Sequence, residues 1–242
     1  MKQAAVNLLL FLSIFYFAIL SSWYVCYSND FCYPIAYVTA DMGEKIQESV
    51  QSDEKYAAFA SADAGQSIGL FHRLLKCIEK NGEGLNELSY TDSGGIRRRF
   101  LNSAEAESLN GIADMLALLR SMFRPFFLLL VLVCGYMAVV KVRPYAWRQT
   151  DRTLSYIFTA FTAVFYVYGF DRLLNFIQKI IFGSGFELLF RDGRGLLSLV
   201  VPYPSMYFFL WGLFLLTALG CFGLYYLLTG AVVNFFIGKK YQ

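Results

Sequence analysis

The sequence contains few residues that could perform catalytic or metal chemistry. His72 is the single histidine, and no cysteine or second histidine stands at metal-ligand spacing from it. It follows Phe71 in a segment with helical periodicity, which predicts a surface or boundary position for the imidazole ring. The chain has no phosphate-binding loop, no dinucleotide-binding glycine pattern and no Gly-x-Ser-x-Gly elbow. We therefore predict no metal site, no cofactor and no soluble nucleotide chemistry.

Two groups of charged residues could bind lipid phosphates. The densest run is Arg97-Arg98-Arg99, and a guanidinium fork fits phosphate oxygens. Residues 171–194 carry further charges among large apolar side chains, which could hold them at a membrane surface. A solvated turn at the arginines and a purely structural interfacial helix in the second segment are the alternatives. The predicted lipid-binding residues are Arg97, Arg98, Arg99, Phe182, Phe186, Arg191 and Arg194.

The composition indicates whether water or lipid surrounds these residues. Of 242 residues, 57% are hydrophobic and 16% charged, against roughly 45–50% and roughly 25% in an average soluble domain. Because a soluble chain needs charged surface, the apolar excess must face lipid. The uncharged stretches are 3–29, 125–140, 153–170 and 195–238, and a membrane span needs about 20 residues. We predict a mainly α fold, a four-helix transmembrane bundle.

The first and last stretches need separate treatment. The apolar body from Ala4 to Val25 is longer than the roughly 7–15 residues of a signal peptide core, so we predict an uncleaved span. Pro202 and Pro204 interrupt the last stretch, so its helix is expected from about Met206 to Ile237. The preceding run, 195–201, is expected to lie in the interface or dip into the membrane.

The predicted order of segments depends on these spans. It is transmembrane helix 1 at 1–29, a mostly helical extracytoplasmic domain at 30–123, transmembrane helix 2 at 124–141, a cytoplasmic loop at 142–152, transmembrane helix 3 at 153–172, an extracytoplasmic interfacial loop at 173–205, transmembrane helix 4 at 206–238 and a cytoplasmic tail at 239–242. The segments predicted to face the cytoplasm, 1–3, 141–152 and 239–242, hold seven Lys or Arg and one acid, whereas residues 30–124 hold 14 acids and 10 bases. The positive-inside rule then predicts cytoplasmic termini in a plasma membrane and disfavours nucleic-acid binding.

The outer domain has local signals of its own. Apolar residues at helical spacing predict a helix over 66–80, and Asn81-Gly82 ends it. A second helix is expected to start at Asn102, with Glu105 completing a capping pair. Residues 85–99 could form a short hairpin. Outside the spans, Cys26, Cys32 and Cys77 leave two alternatives open, a Cys26–Cys32 bridge or unbridged small apolar residues.

Topology and three short runs resemble the Lit family, bacterial membrane proteins that act as lipoprotein intramolecular transacylases. The runs are LFHRLLKCIEKNGEGLNEL over 70–88, FLNSAEAE over 100–107, and GLLSLVVP over 195–202. The resemblance implies acyl transfer from the diacylglyceryl group of a lipoprotein to the amine of its N-terminal cysteine. The topology covers most of the chain, whereas the matching runs are short.

The chain lacks the two histidines that this family carries. Ser108 falls near the first position, and Gln178 or Lys179 near the second, which makes these the candidate catalytic residues. Because acyl transfer needs a base and imidazole titrates near neutral pH, the resemblance implies a divergent or non-catalytic relative. The leading hypothesis is binding or transfer of a lipid or lipoprotein acyl group at the outer leaflet. The alternative is a non-enzymatic membrane scaffold that binds a protein partner through its outer domain.

Overall fold

The computed structural model describes residues 2–52, 59, 64–92, 94–144, 195–202 and 205–239, and these residues are mainly helical. The helices, in chain order, are α1 (Lys2–Ser28), α2 (Tyr33–Thr39), α3 (Met42–Ser52), α4 (Ala64–Glu79), α5 (Ser103–Ser121), α6 (Phe123–Val140), α7 (Leu197–Val200) and α8 (Ser205–Lys239). Short 3-10 turns precede α2 at Asp30–Cys32 and follow α4 at Leu85–Glu87. Strands β1 (Ser89–Thr91) and β2 (Arg97–Arg99) form an antiparallel hairpin.

Within the described ranges, three helical stretches are long and apolar enough to cross a membrane. They are Gln3–Ser28, Ser103–Val140 and Met206–Gly238. Their apolar segments agree with the predicted first, second and last spans. The predicted third span, 153–172, lies outside the described residues, and so does most of the interfacial loop expected at 173–205.

The chain divides into two compact units. Unit 1 draws its residues from 1–21, 121–185 and 218–242, and unit 2 from 22–120 and 186–217. Residues 30–120 of the predicted extracytoplasmic domain, 30–123, lie in unit 2, which also contains the end of α1, α7 and the start of α8. The sequence does not reveal that α5 and α7 belong to one unit, because 75 residues separate them.

Unit 1 is held together by apolar side chains from α1, α6 and α8. Its buried cluster includes Leu10, Ile14, Met137, Phe222 and Val233. Aromatic rings add contacts, among them a stacked Tyr16–Phe126 pair with ring centroids 4.2 Å apart. Many other large apolar side chains of these helices point outward. Leu132 is 60% exposed and Val139 is 70% exposed.

Unit 2 has a larger apolar core, to which α1, α2, α3, α4, α5, α7 and α8 all contribute. The predicted helix at 66–80 is confirmed as α4. It ends where Asn81 and Gly82 adopt left-handed backbone conformations, and the Gly82 N–H donates to the carbonyl of Cys77 at 2.8 Å. Glycine is common just after the last turn of a helix, because without a Cβ it adopts the left-handed conformation at no steric cost. The predicted hairpin is also confirmed, with Tyr90 opposite Arg98.

The run before the last span packs against other protein atoms. Leu197, Val200 and Val201 are each at most 1% exposed, inside the core of unit 2. Their apolar character therefore serves protein packing rather than contact with lipid. Sequence reasoning could not separate these two environments, because both favour the same residue types.

Candidate functional site

The start of α5 positions a buried carboxylate beside Gly195. The Asn102 N–H donates to Glu105 Oε2 at 2.9 Å, and the Glu105 N–H donates to Asn102 Oδ1 at 2.8 Å. This confirms the predicted capping pair, which satisfies two of the backbone donors that a helix start leaves open. A Cβ at Gly195 would overlap the Glu105 carboxylate. Glycine at 195 therefore allows the chain before α7 to approach the start of α5.

Tyr33 connects α7 to the rest of this core. Its ring stacks on Phe71 of α4, with centroids 4.1 Å apart, and its hydroxyl donates to the Val200 carbonyl at 2.6 Å. Burial raises the pKa of Tyr33, and the neighbouring Tyr37 raises it further. The hydroxyl thus stays protonated and remains a donor at neutral pH. Contacts from α2, α4 and α7 consequently meet at one buried side chain.

Arg98 has a structural role in the hairpin. Asp92 Oδ1 accepts the N–H groups of Gly94 (3.0 Å) and Ile96 (2.8 Å), while Oδ2 accepts from Arg98 Nε at 2.7 Å. The hydrogen bond from Arg98 is the largest of the effects that hold the pKa of Asp92 below its usual range, and the backbone donors add to it. Arg98 therefore stabilises the turn. For this residue, the structure agrees with the alternative of a solvated turn.

Arg97 and Arg99 differ from Arg98 because their hydrogen-bond partners are neutral. Arg97 Nε donates to the Ser89 hydroxyl, and Arg99 Nη2 donates to Asn86 Oδ1 at 2.6 Å. Both side chains are exposed, and neither pairs with a carboxylate within the part of the chain that is described. Their positive charges are thus available to an external anion. Ile96, which precedes them, is 59% exposed.

His72 forms a pair that the sequence did not indicate. Its Nδ1 lies 2.7 Å from Asp30 Oδ1, and both side chains are partly exposed. The predicted surface or boundary position is confirmed. Asp30, Phe31 and Cys32 all have positive φ angles, which non-glycine residues rarely adopt. Since 42 residues separate the two partners, no local pattern could have revealed the pair.

Glu79, at the end of α4, joins two other helices. Its Oε2 accepts from Trp23 Nε1 at 2.8 Å and lies 2.6 Å from Arg120 Nη2. Arg120 Nη1 also donates to the Glu79 carbonyl at 2.8 Å. The largely buried Glu79 thereby connects α1, α4 and α5 in unit 2. Sequence patterns gave no sign of this contact, because its members lie about 40 or more residues apart.

Of the candidate catalytic residues, Ser108 lies within the described part of the chain. Ser108 is half-buried on α5, and its hydroxyl donates to the Ala104 carbonyl of its own helix at 3.0 Å. Gln178 and Lys179 lie outside the described residues, as do the predicted lipid-binding residues Phe182, Phe186, Arg191 and Arg194. Among described partners, no base accepts the Ser108 proton.

The described residues give no evidence for metal or thiol chemistry. The described residues contain no group of three or more His, Cys, Asp or Glu side chains that could hold a metal ion. All five cysteines are free thiols, so the alternative without a Cys26–Cys32 bridge agrees with the structure. Burial raises the pKa of Cys77, and this disfavours its reactive thiolate.

Comparison with models of protein families, with functionally characterised proteins and with solved structures found no match to this chain. The class defined by the fold is that of a mainly helical protein with three candidate membrane-spanning helices. Any assignment to a particular family is therefore a proposal.

Proposed function

We propose that the chain is a bacterial plasma-membrane protein, similar to the Lit family, that binds the acyl group of a lipid or lipoprotein at the outer leaflet. Both termini would lie in the cytoplasm, as the distribution of Lys and Arg indicates. The observation that supports the proposal is that three distant runs, 70–88, 100–107 and 195–202, contribute to one core. These are the runs on which the resemblance rests.

The three short runs that resemble the Lit family contribute residues to the same core. Leu70 and Phe71 come from the first run, Leu101 from the second and Leu197 and Val200 from the third, and all belong to one buried cluster. The Glu105–Gly195 approach joins the second and third runs directly. If the three runs belong to one module, they should share a core, and they do. Their assembly favours one module built for a single task.

Binding is the form of the proposal that the described residues favour. In the transfer reaction, the amine of the lipoprotein's N-terminal cysteine would attack a glyceryl ester, an amide would form, and the released glyceryl oxygen would take up a proton. A base must accept the amine proton during this step. The Ser108 hydroxyl donates a hydrogen bond to the Ala104 carbonyl and has no described base beside it. Catalysis would therefore depend on Gln178 or Lys179, or on further residues outside the described ranges.

Arg97 and Arg99 are the proposed contacts to lipid phosphate. They are exposed, their described partners are neutral, and exposed Ile96 precedes them. Exposed guanidinium groups in a segment that also exposes an apolar side chain are suited to the boundary between acyl chains and head groups. Arg98 is excluded from this role because its guanidinium group is already paired with the Asp92 carboxylate.

A photoactivatable diacylated lipopeptide, added to the full chain in nanodiscs, tests binding. Gly195→Ala should reduce labelling, because its Cβ would displace Glu105 and the start of α5. Gly69→Ala is the matched control, since a Cβ at this position of α4 meets no atom within 4 Å. Equal labelling of wild type and G195A, with both variants folded, would contradict binding at this core.

Transfer is tested separately in cells with and without the gene. Because the acyl group moves within one lipoprotein, the total mass does not change, and tandem mass spectrometry must locate the chain on the glyceryl oxygen or on the amine. Acylated amines only in cells with the gene would establish transfer. Identical N-termini in both strains would exclude it and leave binding as the proposal.

A scaffold is the second candidate, and the bonding of Ser108 to its own helix favours it over catalysis. This version predicts that cross-linking and purification in mild detergent recover a stoichiometric membrane-protein partner. A solitary, monodisperse chain that still binds the lipopeptide would contradict it.

A further inference from the structure

Outside the candidate spans, the described part of the chain exposes three large apolar side chains. They are Ile35 (65%), Val38 (71%) and Ile96. Ile35 and Val38 lie three residues apart in α2, so they share a face. Their exposure equals that of outward-pointing residues in the spans, such as Leu132 and Val139. This pair forms the α2 face.

The core of unit 2 fixes the direction of the α2 face. Tyr33, Ala36 and Tyr37 occupy the opposite side of the helix and are buried. The stack of Tyr33 on Phe71 and its hydrogen bond to Val200 hold the helix in this rotation. Ile35 and Val38 therefore cannot turn inward without breaking the core.

The position of α2 along the chain indicates what covers this face. The first candidate span ends at Ser28, and α2 begins at Tyr33. The left-handed turn between them brings the Phe31 ring to the Trp23 ring, with centroids 5.6 Å apart. Because Trp23 lies inside the span, the chain folds back beside the last turns of α1. The α2 face thus starts near the height at which the first span would leave the bilayer.

We propose that the α2 face inserts into the boundary between head groups and acyl chains and anchors unit 2 to the lipid surface. This inference rests on the proposal that α1 spans a membrane. Two side chains provide only a small part of the roughly 800 Å² per partner that a stable protein interface buries, which favours lipid over a protein occupant. α2 has no basic residue, and Asp30 and Asp41 flank it. Zwitterionic lipid therefore suffices.

Photo-cross-linking in nanodiscs of tritiated phosphatidylcholine tests this anchor. Benzoylphenylalanine would replace Val38 in the full chain, with two reference positions. Leu12 points outward within the first span, and Gln47 is an exposed polar position on α3. We expect Val38 to label lipid about as strongly as Leu12 and at least about fivefold more than Gln47, because the face would contact acyl chains.

The reference positions separate the two ways in which the experiment can fail. Lipid adducts at Leu12 with only the Gln47 level at Val38 would overturn the anchor and leave the membrane assignment intact. A cross-link from Val38 to a second copy of the chain, seen as a band of twice the mass, would also overturn it. Absence of lipid adducts at Leu12 would overturn both the membrane assignment and the anchor.

Discussion

Units 1 and 2 use the same apolar residue types in opposite ways. The described part of unit 1 buries a narrow cluster along α1, α6 and α8 and leaves leucines and phenylalanines pointing outward. Unit 2 buries its apolar residues in a broad core, and its polar groups form specific contacts, including the capping pair, the Asp92 turn and the Glu79–Arg120 pair. The difference agrees with the candidate membrane spans, because most of their exposed large apolar side chains belong to unit 1.

Leucine truncation should separate the two units most strongly. Leu70→Ala, in the core of unit 2, should lower the free energy of unfolding by about 2–5 kcal/mol, because it removes buried contacts and leaves a cavity. Leu132→Ala, at an outward position of unit 1, should change it by less than about 0.5 kcal/mol. Urea unfolding in micelles measures both. Equal losses would contradict the comparison.

Glu79→Gln tests the polar connection within unit 2. Loss of the charged partner of Arg120 and weakening of the Trp23 bond should cost about 1–2 kcal/mol of unfolding free energy. Glu83→Gln is the control, because Glu83 is exposed and forms no ion pair with a described residue. If both variants unfold alike, the Glu79 contact does not stabilise unit 2.

Tyr225→Phe tests a polar contact in unit 1. The Tyr225 hydroxyl lies 2.6 Å from Ser21 Oγ and joins α8 to α1. Hydrogen bonds between membrane helices contribute about 0.6 kcal/mol on average, and we expect a loss of that size. Tyr136→Phe, at an exposed position of α6, should have no effect under the same conditions. A loss for Tyr225→Phe as large as that for Leu70→Ala would contradict the apolar character of unit 1.

Acid should produce the smallest change, confined to the hairpin. The pKa of Asp92 is lowered in the folded chain, so its stabilising contribution is present above the unfolded value of about 3.9. The contribution is lost as the pH falls below that value and through the lower folded pKa. The protection factor of the Ile96 amide, which is its intrinsic exchange rate divided by its observed rate at the same pH, should follow this loss. Asp92→Asn should remove the dependence, and an unchanged pH profile would exclude Asp92 as its source.

Local signals were sufficient to predict several elements of unit 2. The α4 periodicity, its Asn81-Gly82 end, the Asn102–Glu105 capping pair and the hairpin each depend on residues close in sequence. The pairs His72–Asp30 and Glu79–Arg120 join residues about 40 positions apart, so no sequence window contains their signal. The bond from Ser108 to Ala104 is local by contrast, because a serine inside a helix commonly donates to the carbonyl four residues earlier.

The sequence by itself determined that this chain has more apolar residues than a protein in water can bury, and where its apolar helices lie. Only the tertiary structure decided which apolar residues face other protein atoms. It buried the run over 197–201 and left Ile35 and Val38 exposed. The physical reason is that transfer out of water favours a leucine equally in a protein core and in lipid. Composition therefore shows that these apolar residues must leave water. Only the packing of the chain determines whether protein or lipid covers each of them.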